Sequence, residues 1–182
     1  MNQGHERPRR FLMAGGGTGG HVLPAVAVAQ ELRRRGHEPF FVGTRSGLEA
    51  KLVPAAGFPI EWIRIGGLKR VGVAQTARTL WQLPYSTARV FRLLGRRRPV
   101  AAFSLGGYAA GPAVLAAWLR RVPVVLMEPN VVPGMTNRWM GRLAARALIS
   151  FEESARYFPS GKAELTGLPV REEFFALAPK PR

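Results

Sequence analysis

A histidine that follows a run of glycines has the clearest chemical potential in this chain. The segment Gly15–Gly20 contains five glycines and Thr18, and His21 comes directly after it. A loop with almost no side chains lets the backbone approach phosphate closely, and the N–H groups at a helix N-terminus favour negative charge. A histidine at the mouth of such a cleft is placed for proton transfer. The segment therefore predicts a phosphate or sugar-phosphate site with a proton acceptor beside it.

The residues on either side of this loop predict a strand before it and a helix after it. Residues 11–14 form a short apolar run that is typical of a buried parallel strand. Residues 22–35 place their apolar side chains on one helical face, with Pro24 in the first turn and Gly36 at the end. The glycine loop is therefore expected to connect a strand to a helix N-terminus.

The same loop also matches the dinucleotide pattern G-x-G-x-x-G through Gly15, Gly17 and Gly20. That pattern indicates NAD binding when an acidic residue follows the second strand and holds the ribose. The second predicted strand, residues 39–42, is followed by no such acid, which argues against NAD. Arg45 could instead meet the additional phosphate of NADP, so an NADP-binding domain remains an alternative.

Composition limits the other classes of site. The chain has 182 residues, 47% of them hydrophobic, which is enough for a globular core. It has no cysteine and three histidines, and all 11 acidic residues are glutamates, so a metal site is not expected. Apart from the NADP alternative, no cofactor is expected. The polar tail 1–10 does not resemble a signal peptide, and no apolar run approaches the roughly 20 residues that span a bilayer. A cytoplasmic protein is expected.

The net charge of +16 is unevenly distributed. No acid lies between Glu61 and Glu128, whereas arginines and bulky apolar residues alternate there. A solvated basic face, a nucleic-acid surface and an anionic membrane surface are all possible, and the bulky apolar residues among the basic ones favour the membrane. No nucleic-acid partner is expected. Pro84 predicts a kinked or two-part amphipathic element. The residues assigned to the membrane surface are Lys69, Arg70, Arg78, Trp81 and Trp118.

Apolar and amphipathic segments alternate along the whole chain. Strands are predicted at 11–14, 39–42, 60–65, 100–104, 122–127, 145–150 and 163–166. Helices are predicted at 22–35, 48–56, 73–94, 112–120 and 134–143. This order indicates an α/β fold with a doubly wound, mostly parallel, Rossmann-like sheet, in which ligands bind at the carboxyl ends of the strands.

Two further loops at those ends contain polar or glycine-rich sequence. Residues 106–112 form a second glycine-rich turn from strand to helix, with Pro112 at the helix start. A turn that needs glycine geometry and a second phosphate or acceptor contact explain this segment equally well. Glu128 and Asn130 follow the strand that ends at residue 127. The Glu128 carboxylate and the Asn130 amide at this edge can form hydrogen bonds with hydroxyl groups or with a nucleobase.

The residues in these loops are similar to those of a known family. Residues 16–22 with Pro24 resemble the opening loop of the MurG family, the undecaprenyl-diphospho-muramoylpentapeptide N-acetylglucosaminyltransferases of bacterial cell-wall synthesis. The similarity continues in order and at family spacing through almost the whole chain. It includes Gly43-Thr44, Glu49, Leu52-Val53-Pro54, Gly106-Gly107-Tyr108, Gly111-Pro112, Glu128, Asn130, Thr136-Asn137, Gly167 and Pro169-Val170-Arg171.

This resemblance implies an inverting hexosyltransferase of two Rossmann-like domains at the cytoplasmic face of the membrane. It would transfer N-acetylglucosamine from UDP-GlcNAc to lipid I, with His21 as candidate general base and Glu128 as an acceptor-side or proton-handling group. The donor contacts that it implies are Thr18, Gly19, Gly20, Asn130 and Arg171. The glycine loops would hold the acceptor diphosphate through Gly16, Gly17, Gly106, Gly107 and Tyr108.

The resemblance also implies a second domain of similar size. We expect residues 11–168 to form an acceptor-binding domain and residues 169–182 to form a linker toward a C-terminal donor-binding domain. The chain is therefore expected to be a fragment or one half of a split enzyme, and to be inactive alone. A non-catalytic subunit that anchors a separate catalytic chain at the membrane is the alternative.

Overall fold

A single parallel sheet organises the molecule. The computed structural model describes residues 7–66 and 73–169, and for residues 73–78 and 80 it describes the backbone alone. The strands are β1 Arg10–Gly15, β2 Glu38–Gly43, β3 Ile60–Trp62, β4 Ala101–Gly106, β5 Val124–Glu128, β6 Arg146–Ile149 and β7 Ala163–Leu165. The α-helices are α1 Gly19–Arg34, α2 Glu49–Ala55, α3 Val73–Arg97, α4 Ala110–Leu119 and α5 Met135–Met140, and a 3-10 helix covers Glu152–Tyr157.

The strand order is β3-β2-β1-β4-β5-β6-β7, and every neighbouring pair is parallel. This arrangement confirms the predicted doubly wound, Rossmann-like α/β fold. From β1, strands β2 and β3 extend the sheet toward one side, and β4 to β7 extend it toward the other. β1 therefore pairs with both β2 and β4. The crevice at the carboxyl ends of β1 and β4 is therefore the topological switch point, where open α/β sheets bind ligands.

Each central strand alternates its side chains between two apolar layers. Leu12 and Phe40 contribute to the layer that contains Val90 of α3 and Val114 of α4. Met13 and its neighbours on the opposite face pack with α1 and α2 in a second cluster. Period-two alternation explains why both faces of the sheet are buried, as a parallel sheet between helices requires.

The helix after β3 differs from the sequence-based prediction. We expected a kinked or two-part element around Pro84, but α3 is one continuous helix over 25 residues. The two-part form of that prediction is wrong, because a proline removes only one backbone hydrogen bond and the rest of the helix is held by tertiary packing. The kinked form stays a prediction. Val90, Leu93 and Leu94 of this helix are buried in the core. The third strand is also shorter than predicted, since β3 ends at Trp62.

Candidate functional site

The first glycine loop leaves backbone donors exposed at the start of α1. Thr18 precedes the helix in an extended conformation, and its carbonyl accepts the N–H groups of His21 and Val22 at 3.1 and 3.2 Å. Among the described residues, the N–H groups of Gly19 and Gly20 have no acceptor. Two unpaired donors at the N-terminus of a 16-residue helix form a suitable site for an anion.

The two glycine-rich loops contact each other directly. Gly107 has φ +80°, and a Cβ atom at this position would overlap the backbone carbonyl of Gly16. Gly17 has φ +93°, and a Cβ atom there would lie 2.9 Å from Cε1 of Tyr108. Only glycine permits both this backbone conformation and this approach. The predicted acceptor residues of β1 and β4 therefore form one continuous surface.

We expect Gly107→Ala to disturb this surface strongly. The added methyl group combines a left-handed backbone with a collision against main chain that has little freedom to move, so the free energy of unfolding should fall by about 2 kcal/mol. Urea unfolding of the chain measures the change. Gly111→Ala is the matched control, because a Cβ atom there meets nothing within 4 Å and the position is helical. It should be neutral or slightly stabilising, and equal losses in both variants would contradict the prediction.

A fully buried carboxylate supports the first loop from below. Glu49, at the start of α2, is 0% exposed. Its Oε2 accepts the N–H of Gly17 at 2.9 Å, and its Oε1 accepts the N–H and the hydroxyl of Thr44 at 3.0 and 2.8 Å. The Thr44 hydroxyl lies 3.2 Å from the hydroxyl of Tyr108. This network joins the carboxyl ends of β1, β2 and β4, and it occupies the N–H of Gly17.

His21 lies half-buried in the first turn of α1. Its Nδ1 is 2.8 Å from the hydroxyl of Thr18. Burial lowers the pKa of the His21 imidazole below its ordinary value, and the nearby Glu128 carboxylate partly opposes that shift. The imidazole is therefore neutral at physiological pH, which is the form that can accept a proton.

Glu128 occupies a different kind of environment. It is 1% exposed, and each of its oxygens accepts two hydrogen bonds. Oε1 accepts from the backbone and side-chain nitrogens of Asn130, and Oε2 accepts from the N–H of Gly134 and from Nδ2 of Asn137. Four donors satisfy the four lone-pair directions of a carboxylate. This geometry favours a role in holding Asn130 in place over a role in accepting a proton.

The structure brings most of the predicted site residues to one edge of the sheet. Both glycine loops, His21, Glu128 and Asn130 lie at the carboxyl ends of β1, β4 and β5. Trp81 lies on α3 and Trp118 lies near the end of α4, so neither belongs to these loops. Lys69, Arg70 and Arg171 lie outside the described residues, and the side chain of Arg78 is not among those described.

Sequence reasoning did not assign a role to Glu49 or Thr44, although both belong to this site. Glu49 entered only as one residue of the family resemblance. The available signal was an acid at a helix start preceded by Gly43, Thr44 and Gly47, since small residues leave space for a buried carboxylate. Exposed apolar residues also follow Asn130 in the chain, namely Val131, Val132, Met135 and Trp139.

The described residues do not suit two other kinds of site or segment. Residues 7–66 and 73–169 contain no group of three or more His, Cys, Asp or Glu side chains arranged to hold a metal ion. Within the same residues, no helix combines the length and the apolar character that crossing a membrane requires.

Known proteins resemble this chain over about half of their length. A Solibacter usitatus protein named UDP-N-acetylglucosamine–N-acetylmuramyl-(pentapeptide) pyrophosphoryl-undecaprenol N-acetylglucosamine transferase is 60% identical over 172 residues, which are 94% of this chain and 47% of the relative. A Myxococcus xanthus protein of the same name is 42% identical over 166 residues, covering 90% of this chain and 43% of the relative. The chain thus spans about half the length of these relatives.

Solved structures agree with the fold. The crystal structure of MurG from Acinetobacter baumannii matches with a TM-score of 0.78 and 31% identity, over 96% of this chain and 50% of that one. A UDP-GlcNAc 2-epimerase from Neisseria meningitidis, at 16% identity and a TM-score of 0.65, shares the fold alone.

The NADP alternative depended on a G-x-G-x-x-G spacing and on Arg45. That spacing lies here within a segment that matches a glycosyltransferase domain. Arg45 packs over the ring of Trp62, with its Cζ 5.1 Å from the ring centroid. Residues 11–149 match the family model described as the glycosyltransferase family 28 N-terminal domain, and the chain belongs to this family.

Proposed function

We propose that this chain is the acceptor-binding half of an inverting, MurG-type transferase. The reaction moves N-acetylglucosamine from UDP-GlcNAc to the muramoyl 4-hydroxyl of lipid I. One observation carries the proposal: the unpaired N–H groups of Gly19 and Gly20 adjoin His21 at the topological switch point. An anion site beside a neutral imidazole suits an acceptor that has both a diphosphate and a hydroxyl to be deprotonated.

The reaction needs a group that removes the acceptor proton as the hydroxyl attacks the anomeric carbon. We assign this role to His21, because burial keeps its imidazole neutral. Glu128 has no unoccupied lone pair among its described contacts, so we assign it to the positioning of Asn130. The diphosphate would bind at the glycine loops, where the helix dipole and backbone donors favour negative charge.

The donor is expected to bind mainly to a second domain. Relatives named as this transferase extend to about twice the length of the chain, since it covers 47% of the Solibacter usitatus protein. We propose that residues 169–182 lead toward that domain. The resemblance implied donor contacts for Thr18, Gly19 and Gly20, but we propose these residues for the acceptor diphosphate, because the N–H groups of Gly19 and Gly20 are unpaired beside His21. On this side of the cleft, Asn130 and Arg171 would contact UDP-GlcNAc.

A membrane surface on α3 and α4 is a further part of the proposal. Trp81 is 84% exposed and Trp118 is 49% exposed, and Tyr85 lies one helical turn from Trp81. Three exposed arginines of α3, Arg89, Arg92 and Arg96, line a cleft together with Trp62 and Tyr85. Exposed aromatic and basic side chains on these two helices suit a peripheral contact with an anionic bilayer.

We expect the chain to sediment with vesicles that contain anionic phospholipid and to remain in the supernatant with neutral vesicles. Trp81→Ser should reduce the bound fraction, because it removes apolar area that enters the interface. Trp139→Ser is the matched control, since Trp139 is 69% exposed but lies on α5. Equal effects of the two substitutions, or no binding to either vesicle, would contradict the assignment of this surface.

A transfer assay tests the proposed reaction. This chain would be joined to the remaining C-terminal part of the Solibacter usitatus relative, which is 60% identical over the shared region. The chimera should transfer N-acetylglucosamine from UDP-GlcNAc to lipid I, whereas this chain alone should show negligible transfer. A folded chimera that binds UDP-GlcNAc but transfers nothing would contradict the proposal. Transfer by this chain alone would contradict its assignment as an acceptor half.

A further inference from the structure

The hydroxyl of Thr18 has an unusual partner for a residue that precedes a helix. Threonine at this position commonly accepts a backbone N–H of the first turn, but Thr18 makes no such side-chain cap. Its hydroxyl instead lies 2.8 Å from Nδ1 of His21. Thr18 is itself exposed, beside the unpaired N–H groups of Gly19 and Gly20. One hydroxyl therefore adjoins both the candidate anion site and the candidate base.

Two arrangements of hydrogen atoms satisfy the Thr18–His21 contact. In the first, the Thr18 hydroxyl donates to Nδ1, and the imidazole has its proton on Nε2. In the second, Nδ1–H donates to the Thr18 oxygen, and Nε2 has a free lone pair. Only the second arrangement leaves Nε2 able to accept a proton from a substrate hydroxyl.

An anion bound at the loop would decide between these arrangements. Its oxygens accept hydrogen bonds, and the exposed Thr18 hydroxyl is adjacent to the Gly19 and Gly20 donors that would hold it. A hydroxyl has one hydrogen, so donation to the anion leaves only its lone pairs for His21. The neutral imidazole must then donate from Nδ1, which requires that Nε2 lose its proton to water while Nδ1 gains one.

We infer that Thr18 is a positioning residue that couples diphosphate binding at the glycine loop to the base-competent tautomer of His21. This inference rests on the proposed function, because it takes the loop as the diphosphate site. The coupling would activate the base only when an acceptor diphosphate is in place.

Nitrogen NMR of the histidine-labelled chain tests the inference, with inorganic pyrophosphate as the probe and the pH well above the ordinary pKa of histidine. In the wild-type chain, saturation should move His21 toward the form protonated at Nδ1. Thr18→Ser should retain this response, whereas Thr18→Val and Thr18→Ala should lose it. His37 is an internal control, because it lies before β2, at the opposite edge of the sheet. Its tautomer should not change.

The amide signals of Gly19 and Gly20 separate the two ways in which the inference can fail. If pyrophosphate shifts these amides while the His21 tautomer stays constant, the coupling is wrong and the anion site stands. The same conclusion follows if Thr18→Val responds as the wild type does. If pyrophosphate shifts neither amide, the loop is not a diphosphate site, and the proposed function loses its main support together with this inference.

Discussion

His21→Ala is expected to lower the rate of N-acetylglucosamine transfer by about 10²–10⁴-fold in a complete two-domain enzyme, as removal of a general base typically does. The residue lies in the first turn of α1, beside two unpaired backbone donors. Steady-state assays of the chimera described above measure the change. His37→Ala is the control, since His37 lies at the opposite edge of the sheet and its loss should leave the rate nearly unchanged.

The pH dependence of the rate should identify the same residue. Burial lowers the pKa of His21, and a base must be neutral to act, so the rate should fall as the pH decreases through that lowered pKa. The fall should therefore occur at a lower pH than it would for an exposed histidine. Glu128→Gln should keep this acidic limb, because Glu128 is assigned a positioning role. Loss of the limb in Glu128→Gln, or a His21→Ala rate within about tenfold of wild type, would contradict the assignment of His21.

Glu49→Ala is expected to destabilise the chain by about 3 kcal/mol, because it leaves several buried donors without an acceptor. Those donors are the N–H of Gly17 and both the N–H and the hydroxyl of Thr44. Chemical denaturation measures the change in the free energy of unfolding. Glu49→Gln preserves the shape and one carbonyl oxygen, so its cost should be smaller.

An exposed acid supplies the control for that experiment. Glu38 pairs with Arg10 at 2.9 Å, but the Glu38 side chain is 56% exposed. Removal of an exposed ion pair costs less than about 1 kcal/mol, so Glu38→Ala should have little effect. A Glu49→Ala loss as small as that of Glu38→Ala would contradict the supporting role of the buried network.

The fold was predictable because it depends on patterns that a sequence displays directly. Short apolar runs separated by amphipathic segments indicated all seven strands, including the short β7. At Pro84 the sequence predicted a kink or an interruption, and the structure excludes the interruption, because packing of Val90, Leu93 and Leu94 holds the helix. Tertiary contacts keep this helix continuous, and no local sequence pattern indicates such contacts.

The site was predictable in its location but not in its hydrogen bonds. The first glycine loop and His21 are consecutive residues, and the second glycine loop directly follows an apolar run, so the position of each loop after a strand was evident from the sequence. The partners of Glu128 and Glu49 come from separate segments, since Asn137 lies on α5 and Gly17 lies 32 residues before Glu49. Which carboxylate is saturated depends on such contacts between segments, whereas the Thr18–His21 contact is local and depends on the conformation of the loop.

Calorimetric binding of a soluble, short-chain lipid I analogue to this chain tests the central claim most directly. We predict saturable binding of the analogue and no comparable binding of UDP-GlcNAc, because we propose that the donor binds mainly to a second domain. Gly107→Ala should weaken the binding at least about tenfold, a change of about 1.4 kcal/mol, since it disturbs the contact between the two loops. A folded chain that fails to bind the analogue, or binds it equally well with Gly107→Ala, would contradict the assignment of the glycine loops as the acceptor site.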